Sequence, residues 1–285
     1  MALLPFVGMS MKLEALRKIT DIFLPSEKMP VLFLGHGSPM NAIEENDFVQ
    51  GFRAVGKTIP LPSAILCISA HWETKGTYVT AMANPSTIHD FGGFPKELFD
   101  VQYPAPGSPS LAAETKEIVQ STEVKLTDSW GLDHGAWSVI RHLYPDASVP
   151  VIQMSLDHYK DAAFHYSLGK ELRSLRKKGV LIIGSGNIVH NLGLVAWNRL
   201  SEPEYGFDWA KQTDSTIRKH ILEENHQTLI DYRSQGKEFD LSIPTPEHYF
   251  PLLYALALQE KGDSIEIFND KMVGGSLSMT SVKIF

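Results

Sequence analysis

Val31–Met40 reads "VLFLGHGSPM": four large apolar residues, then an abrupt change to Gly-His-Gly-Ser-Pro. Apolar side chains at successive positions belong to a strand buried on both faces, which implies a sheet with helices on either side. In such sheets ligands collect beyond the carboxyl ends of the strands, and His36 stands where this strand must stop. Two other runs end alike. "AILCISA" from Ala64 leads into His71 and Trp72, and "VLIIGSG" from Val180 leads into Asn187 and then His190.

Further short β-rich runs are "YVTAMA" from Tyr78, "VPVIQMSL" from Val149, "IEIF" from Ile265 and the closing "MTSVKIF". Helical periodicity covers Pro109–Gln120, Asp161–Lys178 with Gly179 as its stop, Asp208–Ile230, and Pro246–Glu260. This alternation predicts an α/β fold, a single domain over residues 30–285 with a mostly parallel or mixed central sheet flanked by helices. Residues 1–29 are expected to form an N-terminal extension with room for an amphipathic helix.

With 285 residues and 43% hydrophobic composition the chain can bury a sizeable core. Acidic residues exceed basic ones by 33 to 26, and the net charge of −7 argues against a nucleic-acid backbone or an anionic membrane surface as partner. A small molecule is expected instead. The single cysteine, Cys67, lies inside an apolar run, which removes disulfide frameworks and thiolate metal clusters and fits a reducing cytoplasm. Any metal site must then use nitrogen and oxygen. The opening "MALLPFVGM" lacks a basic leader and a cleavage pattern, and no apolar stretch reaches the roughly 20 residues of a membrane span.

Two motifs invite a nucleotide reading and fail on context. "GFRAVGKT", Gly51–Thr58, matches a phosphate loop, but the residues before it are helical in period and "IPLP" after it forbids the helix that the motif requires. "GSGNIV" from Gly184 follows a strand but lacks the third glycine of a dinucleotide turn. No G-x-S-x-G elbow occurs.

The histidines are more informative. One histidine at a strand end is commonly satisfied by backbone, but three converging in one pocket cannot easily all be cationic, whereas a divalent metal uses their neutral lone pairs. In "PTPEHYFPLL", Thr245 can cap a helix starting at Pro246, which puts Glu247 and His248 in its first turn. Consecutive helical residues point about 100° apart, so one of the two faces a given ion. With Glu247 the site is a two-histidine, one-carboxylate arrangement; with His248 it is all nitrogen and equally suited to zinc. His134, between Asp133 and Gly135, is a further candidate, and His89 a weaker one. Trp72, Trp137, Tyr249 and Phe94 could shape an aromatic slot, with core packing as the alternative.

Taken in order, "LFLGHGSPM", "SAHW", "HDFGGFP", "YPAPGSP", "DHGAW", "GSGNIVHN", "PTPEHYFPLLYAL" and "GSLSM" resemble the 4,5-DOPA extradiol dioxygenase family, of the class III extradiol ring-cleavage enzymes. The resemblance implies His36, His71 and His248 as metal ligands. It implies His190 as the catalytic base, or as a fourth ligand in zinc-holding members, and His134 as a histidine assisting oxygen or substrate binding. One divalent ion is implied, Fe(II) for ring cleavage with Zn(II) as an alternative occupant, and a catechol such as L-DOPA with O2 as substrates. The same ligands would also serve a zinc-dependent hydrolase or a non-catalytic metal-binding module.

Overall fold

The computed structural model describes residues 26–285, so the expected helix in the N-terminal extension lies outside the described residues. Ten strands are present among the described residues: β1 Val31–Gly35, β2 Ala64–Thr74, β3 Thr77–Thr80, β4 Val124–Thr127, β5 Val151–Asp157, β6 Val180–Gly186, β7 Ile265–Phe268, β8 Met272–Val273, β9 Leu277–Ser278 and β10 Ser281–Ile284. Eight of them form one sheet in the order β4-β3-β5-β2-β6-β1-β10-β7, while β8 and β9 pair separately. The centre, β5-β2-β6-β1, is parallel; β10 and β7 add antiparallel strands at one edge. The fold is therefore a single-domain α/β structure with a mixed sheet.

The helices are α1 Asp47–Gly56, α2 Lys96–Phe99, α3 Pro109–Ile118, α4 His134–Leu143, α5 Ala162–Glu171, α6 Asp208–Leu222, α7 His226–Ile230, α8 Lys237–Ser242 and α9 Phe250–Ala257. Side chains alternate across a strand, so the wholly apolar centre feeds two cores. Val31, Phe33, Leu66, Ile68 and Ile182 pack with Leu252, Leu253 and Leu256 of α9. Leu32, Leu34, Ile65, Cys67 and Ile183 pack on the other face with Phe52 of α1 and Trp137 and Ile140 of α4. Each such side chain stabilises the fold by about 1.5–3 kcal/mol relative to leaving it exposed.

Three expectations are corrected. Asp208–Ile230 is not one helix: Glu224 has a φ of 55°, and the chain breaks between α6 and α7. The helix expected from Pro246 starts only at Phe250, with Pro251 in its first turn, where a missing N–H is harmless. Thr245 accordingly caps no helix; its hydroxyl donates to Glu247 Oε1 at 3.0 Å. The predicted stop at Gly179 holds, with a φ of 74° after a 3-10 turn over Leu172–Lys178. Gly51–Thr58 falls mostly inside α1, whose cap is Asn46, so it forms no phosphate loop. No helix among the described residues is long and apolar enough to cross a membrane.

Candidate metal centre

His36 follows β1 directly, and its N–H donates to the Gly186 carbonyl at 3.0 Å, extending the β1–β6 ladder by one residue. Gly37 then turns with a φ of 62°, a left-handed conformation that side-chain-bearing residues rarely adopt. The His36 ring is held by Ser185 of β6. Its Nδ1 lies 3.0 Å from Ser185 Oγ, while the Ser185 hydroxyl donates to the Gly135 carbonyl at 2.5 Å. A hydroxyl has one proton, so toward His36 it accepts, and Nδ1 must carry the hydrogen. Nε2 is left with its lone pair, 3.1 Å from Nε2 of His71.

His71 belongs to β2 where the pairing with β5 slips between Ile68 and Glu73, an irregularity of the kind that re-aims side chains beside sites. His248 arrives from the turn before α9, pinned by the Asn187 N–H donating to its carbonyl at 2.9 Å. The approach depends on Gly186: a Cβ there would sit 2.1 Å from the His248 carbonyl oxygen. The "GSG" that resembled a dinucleotide turn is thus a docking surface for the "PEHY" turn. One ring nitrogen from each of His36, His71 and His248 lies within 4.8 Å of the others. Glu247 stands behind this group, its Oε1 2.9 Å from His248 Nδ1. Of the two neighbours left open by the sequence, His248 is the one grouped with His36 and His71.

His190 stacks on His248 with ring centroids 3.5 Å apart and planes 9° from parallel, and forms a second group with His248 and Glu247. His134 opens α4, which Asp133 caps through a 3.0 Å bond from the Ala136 N–H. The His134 ring centroid is 3.8 Å from that of His71. Asp90, which sequence reading passed over, accepts from the His134 N–H at 2.8 Å and sits 2.9 Å from its Nδ1. His89 does not face the cluster: its Nε2 donates to the Val101 carbonyl at 2.9 Å, among Phe91, Phe99 and Trp137. A parallel bridge between Thr87 and Leu132 brings Asp90 alongside His134.

Of the expected aromatic slot, Trp72, Trp137 and Tyr249 are buried packing residues. Trp72 stacks on Trp130, and Trp137 and Tyr249 donate to the carbonyls of Ile88 and Leu229. Phe94 packs against Phe91, whose ring meets that of His134 edge-on at 5.5 Å.

Burial, reinforced by neighbouring imidazoles, holds His36 and His248 well below the ordinary histidine range. Burial and then His134 push His71 down to about 3, and burial brings His190 down to about 4. The cluster is therefore neutral at pH 7, which is the protonation state a metal requires. Burial alone would raise Asp90, but hydrogen bonds from His134 hold it below the usual carboxylate range. Asp133, fully buried and near Asp90, is raised. Neutral imidazoles with their outer nitrogens tied to Ser185 and Glu247 fit a divalent cation.

Residues 30–280 match the family model described as the catalytic LigB subunit of aromatic ring-opening dioxygenase. The chain is 44% identical over 270 residues to the 4,5-DOPA dioxygenase extradiol of Escherichia coli (strain K12), covering 93% of this chain and 98% of that one. With the protein of the same name from Beta vulgaris the identity is 34% over 259 residues, covering 88% and 94%. A crystal structure of an uncharacterised Escherichia coli K12 protein matches with a TM-score of 0.78 at 40% identity, covering 90% of this chain and 100% of that one. The chain thus belongs to the LigB family of aromatic ring-opening dioxygenases, enzymes of the class III extradiol type.

Proposed function

We propose that this protein is a metal-dependent extradiol dioxygenase that opens a catechol ring of the L-DOPA type, with His36, His71 and His248 holding one divalent ion. The observation that carries the reading is the meeting of three neutral imidazoles, from one strand end, one register slip within a strand and one turn, with ring nitrogens within 4.8 Å of one another. The names of the relatives from Escherichia coli and Beta vulgaris support the substrate class. Iron(II) bound there would supply the redox change that joins a chelated catechol to O2, which zinc cannot supply.

The surrounding side chains then have defined tasks. An all-imidazole ligand set carries no charge of its own, so it leaves a bound cation's full positive charge to stabilise a catecholate. His190, neutral because burial depresses it, accepts a proton from a catechol hydroxyl. His134 presents its ring beside His71 and accepts a hydrogen bond from a substrate hydroxyl. Phe91, packed edge-on against His134, narrows the space beside that ring. The catalytic unit spans residues 30–285, and the buried, free Cys67 fits a cytoplasmic setting.

Anaerobic reconstitution with iron(II), followed by O2 and a panel containing L-DOPA and simpler catechols, tests the reading. A yellow ring-opened product with matching oxygen uptake is expected. Turnover of an ester or amide by the zinc-loaded protein, with none of catechol by the iron-loaded one, would replace it with a hydrolase.

A further inference from the structure

We infer that Asp90 is the positioning residue of the centre: it fixes the rotation and the tautomer of His134, so that an unprotonated Nε2 is what His134 offers to substrate. The inference rests on the ring-cleaving reading above and adds a residue to it.

Asp90 holds His134 at two points. Oδ1 accepts from the backbone N–H at 2.8 Å, and Oδ2 lies 2.9 Å from Nδ1. Oδ1 is an acceptor for the backbone N–H and a carboxylate Oδ2 facing a ring nitrogen accepts from it, so the hydrogen of a neutral His134 is on Nδ1. Nε2 makes no hydrogen bond among the described residues. With the backbone and the ring gripped by the same carboxylate, the imidazole cannot rotate without giving up a bond. It stays against His71, at 3.8 Å between centroids, with Phe91 edge-on to it. Asp133, the acid adjacent to His134 in sequence, cannot do this. It is engaged by Ser69 at 2.7 Å, Gln153 at 2.7 Å and the Ala136 N–H at 3.0 Å.

Asp90→Asn separates the charge and tautomer effect from simple loss of bulk. The amide oxygen can still accept from the His134 N–H, but its NH2 group faces Nδ1 and forces the ring hydrogen onto Nε2. In this variant kcat for catechol cleavage is expected to fall about 10–100-fold with KM changed less than about threefold and one metal ion per chain retained. In a His134→Ala background the same substitution should cost nothing more, since residues acting as a unit do not add. Nitrogen-15 NMR of the zinc-loaded protein reads the tautomer directly: Nδ1–H in the unchanged chain, Nε2–H in Asp90→Asn. The inference is overturned if the unchanged chain carries Nε2–H, if the two losses multiply, or if it binds two ions and Asp90→Asn removes one. A tautomer switch without any catechol turnover by the unchanged chain would sink the ring-cleaving reading while leaving the grip of Asp90 intact.

Discussion

Two buried histidine environments in this molecule look alike by burial and differ in what their nitrogens find. His165, between α5 and α9, is fully enclosed, and burial pushes it down to about 4. Both its nitrogens are satisfied: Nδ1 lies 3.0 Å from the Tyr254 hydroxyl, and Nε2 lies 3.2 Å from the Asp157 carbonyl. His36, equally buried, has Nδ1 tied to Ser185 while Nε2 meets only another imidazole. Depressed basicity therefore does not distinguish a ligand from a packing residue. What distinguishes it is one nitrogen fixed by the protein and the other facing its own kind.

The contrast is open to direct attack, beginning with the strongest effect. His36→Ala and His248→Ala should each abolish stable metal binding and bring turnover below detection, whereas His165→Phe should retain one ion per chain by elemental analysis. Retention of metal by both ligand variants would erase the distinction. Next comes Gly186→Ala, whose new methyl must displace the His248 carbonyl from 2.1 Å. Metal affinity, measured by chelator competition, should weaken by about 100-fold, with a stability loss of about 1–3 kcal/mol from overpacking.

Ser185→Ala leaves the buried His36 Nδ1 without its partner and frees its tautomer, and should weaken the metal by about 10-fold and lower stability by about 1–3 kcal/mol. His165→Phe keeps the bulk but strands the Tyr254 hydroxyl, while the Asp157 carbonyl keeps the Lys160 N–H, and should lower stability by about 1–3 kcal/mol in urea titration. A further expected effect concerns pH. His165 takes up a proton on unfolding, between its folded value of about 4 and its ordinary 6.5, so it favours the folded state above pH 6.5 and loses that contribution as pH falls toward 4. The metal-free protein should unfold more easily across that window, and His165→Phe should flatten the dependence by one proton.

Much of this was legible because it is local. The apolar runs at Val31, Ala64 and Val180 could only be covered strands, and their ends carry His36, His71 and the approach to His190. Gly179 announced its helix stop. What stayed hidden depends on pairing between distant segments. Asp90 reaches His134 through the Thr87–Leu132 bridge, and nothing near "IHDFGG" says that the aspartate rather than the histidine faces inward. Ser185 was masked by the glycines around it, whose role appears only when the turn at His248 lies against them. The delayed start of α9 has the same origin: the His248 carbonyl serves Asn187 instead of a helical turn. The strand β4, with two exposed residues of four, was too polar and too short to stand out.

The bond between the Asn187 N–H and the His248 carbonyl ties the last imidazole to a strand made much earlier in synthesis. A nascent chain cut before Pro246 would hold only two of the three imidazoles of the proposed site. On the proposed reading, filling of the His36–His71–His248 site waits until the C-terminal segment has docked.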